Sequence, residues 1–211
     1  NSYFATFGYS FADKYFVDGS FRRDGSSLFA ENHRWGNFWS AGAMWDITKE
    51  RFMKDVKWMN KLQVKASYGS VGNSSGLSPY MAMGLVGTGP LYNGVGGTAV
   101  ANPANPDLTW EVVKSTNIAI NTRMFNRVNL DVELYNRDTE DMLMDIPYSY
   151  TTGFSGGWGN VASMRNKGVD VTANFEILQD FHDIDWNISA NLNYNENEIT
   201  SLFNGMDEYV L

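Results

Sequence analysis

The chain has 211 residues and a net charge of −8, with 19% charged and 15% aromatic residues, 20 Gly, 5 Pro and no Cys. It is too aromatic for a disordered chain, too poor in charge for a coiled coil, and offers no basic stripe to a nucleic acid. The lack of cysteine excludes disulfides and thiolate metal sites, and no run approaches the ~18 consecutive apolar residues of a transmembrane helix.

Alternation with period two organises nearly the whole chain and predicts eight strands, near 2–11, 14–24, 35–46, 59–72, 110–124, 127–142, 158–177 and 184–199. In the first, Tyr3, Ala5, Phe7 and Tyr9 alternate with Phe4, Thr6, Gly8 and Ser10; in the second, Tyr15, Val17, Gly19 and Phe21 alternate with Phe16, Asp18, Ser20 and Arg22. Ala41, Ala43 and Trp45 follow, then Leu62, Val64, Ala66 and Tyr68, then Ile118, Ile120, Thr122 and Met124. The last three strands alternate most cleanly. Val128, Leu130, Val132 and Leu134 oppose Asn129, Asp131, Glu133 and Tyr135; Val169, Val171, Ala173 and Phe175 oppose Asp170, Thr172, Asn174 and Glu176. Trp186, Ile188, Ala190, Leu192 and Tyr194 oppose an Asn- and Ser-rich face. Successive side chains leave opposite sides of a strand, so each is a ribbon with one greasy and one polar face.

The connections alternate short and long. Ala12-Asp13 and Phe125-Asn126 are tight, whereas 24–34, 73–109 and 143–157 are extended. Residues 48–58 form a compact linker with room for one helical turn, N-capped by Thr48. Brief turns at one end and long loops at the other are the pattern of a transmembrane barrel. By parity, 73–109 begins and ends on one side, so the apolar run from Tyr80 to Val86 is loop or one arm of an extra hairpin, not a single crossing. The polar faces are rich in Asn, Ser, Thr and Gly, as a hydrated lumen requires. Tyr15, Trp45, Tyr68, Trp186 and Tyr194 sit near strand ends, where an interfacial girdle belongs.

Six motifs in order carry a family resemblance: Phe21-Arg22-Arg23-Asp24-Gly25-Ser26-Ser27 with Asn32-His33-Arg34-Trp35-Gly36-Asn37-Phe38; Ala66-Ser67-Tyr68-Gly69-Ser70-Val71-Gly72-Asn73; Asn105-Pro106-Asp107-Leu108-Thr109-Trp110-Glu111; Thr151-Thr152-Gly153-Phe154; Arg165-Asn166-Lys167-Gly168-Val169; and Leu192-Asn193-Tyr194-Asn195-Glu196-Asn197-Glu198-Ile199. Together they resemble the SusC/RagA family, TonB-dependent outer-membrane transporters of Bacteroidota. The resemblance implies an all-β fold: an antiparallel transmembrane β-barrel segment, about eight strands of a larger, 22-stranded barrel, from its C-terminal half. It implies that residues 1–211 belong to the barrel domain, with the plug domain and TonB box absent from this chain, and that the final barrel strand lies beyond it. The chain opens inside a strand and reads as a piece of something longer. The expected partners are outer-membrane lipid, a SusD-like surface lipoprotein, the TonB complex acting through the missing plug, and an oligosaccharide or peptide cargo, with no nucleic acid.

Arg123, Asp131, Glu133, Asp170 and Glu176 are the candidate lumen-facing residues, placed by alternation opposite the apolar face. No catalytic residue, cofactor or metal is expected. Glu140, Asp141 and Asp145 lack a base–nucleophile arrangement and read as electrostatics near the mouth. The charges of Arg22, Arg23, Asp24 and Arg34 pin a loop base or are simply solvated. Asn105-Pro106-Asp107 fits a turn that opens a strand, with a cation site as the lesser reading. Gly84, Gly87, Gly89, Gly94, Gly96 and Gly97 lack the Lys-Ser/Thr of a phosphate cradle and read as flexible loop. His33 and His182 read as ordinary loop residues. Phe52 and Met53, beside Lys49, Glu50 and Arg51, read as a cap on the periplasmic rim. Two other architectures remain open: a complete eight-stranded membrane barrel with a structural or adhesive role, and a soluble carbohydrate-binding β-sandwich.

Overall fold

The structure is a computed structural model that describes residues 1–181 and 184–206. Its strands, in chain order, are β1 (Ser2–Phe11), β2 (Tyr15–Gly25), β3 (Trp35–Asp46), β4 (Met59–Asn73), β5 (Leu85–Tyr92), β6 (Val95–Asn102), β7 (Glu111–Met124), β8 (Val128–Pro147), β9 (Gly156–Phe181) and β10 (Ile184–Ser201). Eight of them form one antiparallel sheet in the order β1-β2-β3-β4-β7-β8-β9-β10, which accounts for every predicted strand. β8 and β9 run 20 and 26 residues, well past the ~9–11 that cross a bilayer, so their loop-side ends project beyond it.

Two short turns set the register by the same device. Ala12 and Asp13, and again Phe125 and Asn126, hold positive φ of 53° to 56°. Lys14 N–H donates to Phe11 O and Arg127 N–H to Met124 O, each at 3.0 Å. These are type I′ turns, whose twist matches that of the strands they join. The doubtful segment resolves as an extra hairpin, β5 paired with β6 in a separate two-stranded sheet. Asn93 (φ 50°) and Gly94 (φ 78°) form its turn. The glycines expected to be flexible loop therefore sit mainly in this hairpin. The linker after β3 also differs from expectation. It holds two 3₁₀ turns, Ile47–Lys49 and Arg51–Met53, and Asp46 rather than Thr48 occupies the first N-cap position. The Thr48 hydroxyl instead accepts from Leu62 N–H at 2.6 Å, tying the linker to β4.

The register aligns the faces across all eight strands. One row runs Tyr9-Val17-Ala43-Ala66-Ile118-Leu134-Val169-Tyr194, and another Phe11-Tyr15-Trp45-Val64-Ile120-Val132-Val171-Leu192. Between them lies Ser10-Phe16-Met44-Lys65-Ala119-Glu133-Asp170-Asn193, on the opposite face. Among the described residues no second layer covers the apolar rows: Leu134 is 53% and Tyr194 60% exposed. A soluble sandwich buries such rows, so that reading fails. Among the described residues the sheet does not close on itself either, since β1 pairs only with β2 and β10 only with β9.

The apolar belt descends across the sheet. On β2 it spans Phe21 to Tyr15, with Arg23 above; on β9 it spans Val169 to Ile177, with Lys167 above. Following the register from β2 to β9, the upper edge drops by four residues and the lower by six over five strand spacings. With ~3.4 Å per residue and ~4.8 Å per spacing, the strands tilt about 30–40° to the belt normal. A slab of constant height crossing inclined strands leaves this imprint, and barrel strands incline by about that much.

The buried core lies elsewhere, at the long-loop end. Phe29, Phe38, Ala82, Leu108 and Trp110 form it, flanked by Leu77, Val112, Leu143 and Trp158. Leu108 is wholly buried, and the Trp110 ring packs against Phe29 (5.1 Å) and edge-on to Phe38 (5.5 Å). Apolar burial is thus used to seat the loops, while the belt keeps its apolar side chains outside.

Candidate functional site

The polar face is the candidate site. The register puts Arg123, Asp131, Glu133, Asp170 and Glu176 on one face, opposite the apolar rows. Arg123 Nη2 donates to Glu176 at 3.3 Å and to Asn126 O at 3.0 Å, and Asn129 Nδ2 reaches the same carboxylate at 3.5 Å. Asn121 Nδ2 donates to Asp131 at 2.5 Å, and Asn193 Nδ2 donates to Asp170. Glu133 stands directly across from Asp170, an unfavourable pairing of like charges. The nearest cation in that row is Lys65, beyond Ala119. The five carboxylates of Asp18, Asp131, Glu133, Asp170 and Glu176 outnumber Lys61, Lys65 and Arg123, so this strip is negative. Across β2, β3, β4, β7 and β8 it dips into an open hollow of about 440 Å³ lined by Asp18, Lys65, Asn117, Asn121 and Glu133. Asn117 Oδ1 and Asn121 Oδ1 there, and Arg123 Nε further along β7, are buried without a partner among the described residues.

The sequence motifs turn out to grip one another across strands. A Cβ on Gly36 would strike the Phe38 and Trp110 rings, and one on Gly72 would strike the Phe38 ring, so three motifs interlock at the mouth. In the motif that opens β7, Asn105 closes an Asx turn with Asp107 N–H (3.1 Å) and donates to Trp158 O (2.8 Å). These bonds use Asn105 as a structural pin, in keeping with the turn reading. Arg165 pairs with Asp138 at 2.6 Å, Lys167 with Glu196 at 3.4 Å, and Asn197 donates to Asn166 at 2.7 Å.

One residue at the mouth escaped the sequence reading. The Asn160 side chain accepts from Thr109 N–H and donates to Thr109 O, both at 2.9 Å, imitating a strand neighbour for the residue before Trp110. It also donates to Asp141 O at 2.7 Å, at a β8 bulge where Asp141 takes φ 55°. A lone Asn in an alternating run carries no mark of this.

The remaining candidates disperse. Glu140 is engaged by Lys114 at 2.6 Å, and Arg22 pairs with Asp24 at 2.6 Å. His33 lies 3.9 Å from Asp107, and His182 lies outside the described residues. At the short-turn end Glu50 accepts from Lys14 (2.9 Å), Tyr15 (2.8 Å) and Trp45 (3.3 Å). These bonds, the lysine's foremost, hold its carboxyl down to about 2.

Comparison with known proteins agrees with this geometry. The family described as TonB dependent receptor-like, beta-barrel matches residues 1–208. The chain is 36% identical to TonB-dependent receptor P39 of Formosa agariphila over 96% of its own length and 19% of that protein's. It is 29% identical to TonB-dependent receptor SusC of Bacteroides thetaiotaomicron, over 98% and 21%. The solved RagAB peptide importer in its closed-closed state superposes with a TM-score of 0.91 at 38% identity, over 100% of this chain and 23% of that one. The chain spans about a fifth of the length of these relatives. A tilted apolar belt on an uncovered sheet, long loops at one end only, and these likenesses lead to one conclusion: the chain belongs to the TonB-dependent receptor β-barrel family and is a segment of an outer-membrane barrel of the SusC/RagA kind.

Proposed function

We propose that this segment is part of the wall of an energised importer, with its polar face lining the lumen. Its work is partition between solvents. The apolar rows hold the strands in lipid, and Arg123, Asp131, Glu133, Asp170 and Glu176 wet the path of a polar cargo. Unpaired strand edges are not tolerated in lipid, so β1 and β10 meet further strands of the parent barrel. A plug coupled to TonB and a SusD-like lipoprotein over the long loops complete the reading, supported by the likeness to SusC and RagAB.

The cargo is an oligosaccharide or a peptide. The excess of carboxylates on the polar face favours neutral or cationic cargo over anionic, and the RagAB complex that the chain resembles is a peptide importer. The observation that carries the proposal is the register, which keeps apolar and polar rows apart over all eight strands.

Neighbouring residues on opposite faces test it. In the parent protein, Leu130→Arg places a charge in lipid and costs about 2–4 kcal/mol near the midplane, lowering the amount of folded barrel in outer-membrane fractions. Asp131→Arg leaves that amount unchanged and alters uptake of labelled peptide or oligosaccharide. Equal loss of folded protein from both substitutions refutes the face assignment.

A further inference from the structure

In a chain of net charge −8, residues 47–58 carry Lys49, Arg51, Lys54 and Lys57 against Glu50 and Asp55, a local excess of two positive charges. They lie at the end of the sheet that carries the short turns Ala12-Asp13 and Phe125-Asn126, the periplasmic end of an outer-membrane barrel. Glu50 fixes where this segment sits. It takes its hydrogen bonds from Tyr15 and Trp45, which close the lower edge of the apolar belt, and from Lys14. Lys49 Nζ adds a bond to Asp13 O at 2.9 Å. The 3₁₀ turns are thereby pinned against the lipid-facing side at the level where hydrocarbon gives way to headgroups.

The residues that follow are arranged for that level. Phe52 is 65% exposed, and Phe125 is 63% exposed while stacking on the exposed Trp58 at 5.7 Å. Among the described residues Arg51, Lys54 and Lys57 are exposed and have neither ion pair nor hydrogen-bond acceptor for their side chains. Uncovered aromatics beside unpaired cations, at the rim of a lipid belt, match a surface with apolar depth and anionic phosphate above it.

We propose that residues 47–58, with Phe125, form a docking strip for anionic phospholipid headgroups of the periplasmic leaflet. Arg51, Lys54 and Lys57 pair with phosphate, and Phe52, Trp58 and Phe125 enter the acyl boundary. The strip fixes the depth of the barrel on that side, beyond whatever passes through the lumen.

The test uses the full-length parent transporter in detergent, with native mass spectrometry of added phosphatidylglycerol against phosphatidylcholine. The wild type is expected to retain phosphatidylglycerol preferentially and to lose that preference in 0.5 M salt, roughly the range where screening cuts surface charge to a few ångströms. A charge near an anionic surface is worth about fivefold in affinity, so Arg51→Gln/Lys54→Gln/Lys57→Gln should weaken phosphatidylglycerol retention more than tenfold. Lys54→Arg/Lys57→Arg should leave it intact. Heat-modifiability on gels reports the folded barrel in each variant, and the salt titration reads the proposal on unaltered protein. Equal retention of the two lipids by the wild type, retention indifferent to salt, an unaffected triple-Gln variant, or preference for lipopolysaccharide over phosphatidylglycerol each overturns it.

Discussion

Tyr135 on β8 lies across Gly168 on β9 and donates its hydroxyl to Asn195 on β10 at 3.0 Å, so one side chain spans three strands of the wall. The glycine makes this possible, because a Cβ there would strike the Tyr194 backbone oxygen and come within 2.6 Å of the Tyr135 oxygen. Gly168 and Asn195 belong to two different family motifs, and the contact explains both.

Gly168→Ala is therefore expected to destabilise the barrel by about 1–3 kcal/mol, the usual cost of forcing a methyl into filled space. Tyr135→Phe keeps the ring and loses only the bond to Asn195, a smaller cost of about 0.5–1.5 kcal/mol. The temperature at which the folded gel band of the parent protein disappears ranks the two variants. A larger drop for Tyr135→Phe than for Gly168→Ala would contradict the account.

Leu108 is the keystone of the mouth, wholly buried among Phe29, Phe38, Ala82 and Trp110. Leu108→Ala removes a core side chain at a cost of about 2–5 kcal/mol. The sheet meets this cluster only through loop-side residues of β3, β7, β8 and β9 (Phe38, Val112, Leu143 and Trp158), so the loss falls mainly on the loops. The expected result is a parent barrel that still resists heat like the wild type but is cleaved faster by external protease within 26–34 and 74–110. Unchanged cleavage would show that the loops are held by something other than this cluster.

What the sequence made legible follows from the range of each interaction. Alternation is a property of neighbours, so the eight strands and the faces of Val132 and Glu133 were readable directly. The β5–β6 hairpin was also written locally, in Asn93-Gly94, but parity alone left it as one of two choices. Thr48 looks like a cap from its neighbours and is claimed instead by Leu62, fourteen residues on. The roles of Asn160 and Phe38 depend on partners more than thirty residues away, Thr109, Gly72 and Trp110, and no local pattern announces them. Among the lumen candidates, alternation fixed the face but not the pairing of Arg123 with Glu176, which lies two strands across.

That pairing gives a charge-swap test. Arg123 and Glu176 are partly exposed and 3.3 Å apart, so their coupling should be small, about 0.2–1 kcal/mol. Arg123→Glu alone places a third carboxylate beside Asp131 and Glu176 and should slow uptake of anionic cargo relative to cationic. Arg123→Glu/Glu176→Arg restores the local charge balance and should return that ratio towards the wild-type value. A double variant as skewed as the single one would mean that position, not net charge, governs selectivity.

The Glu50 clasp makes a pH-dependent prediction whose sign is fixed by the direction of the shift. Its carboxyl is held at about 2 in the folded protein, below its ordinary value of 4.5, by bonds from Lys14, Tyr15 and Trp45. A depressed acid stabilises the fold in its ionised form, so the contribution is full above pH 4.5 and fades as pH falls towards 2. Glu50→Gln keeps the size of the side chain without the charge, and should lower thermal stability of the parent barrel at pH 7. The gap from wild type should narrow between pH 4.5 and 2 as the wild-type carboxylate is protonated. Melting followed by intrinsic tryptophan fluorescence reads this directly, because Trp45 donates to the same carboxylate. A gap that stays constant down to pH 2 would mean that Glu50 holds the linker by shape rather than by charge.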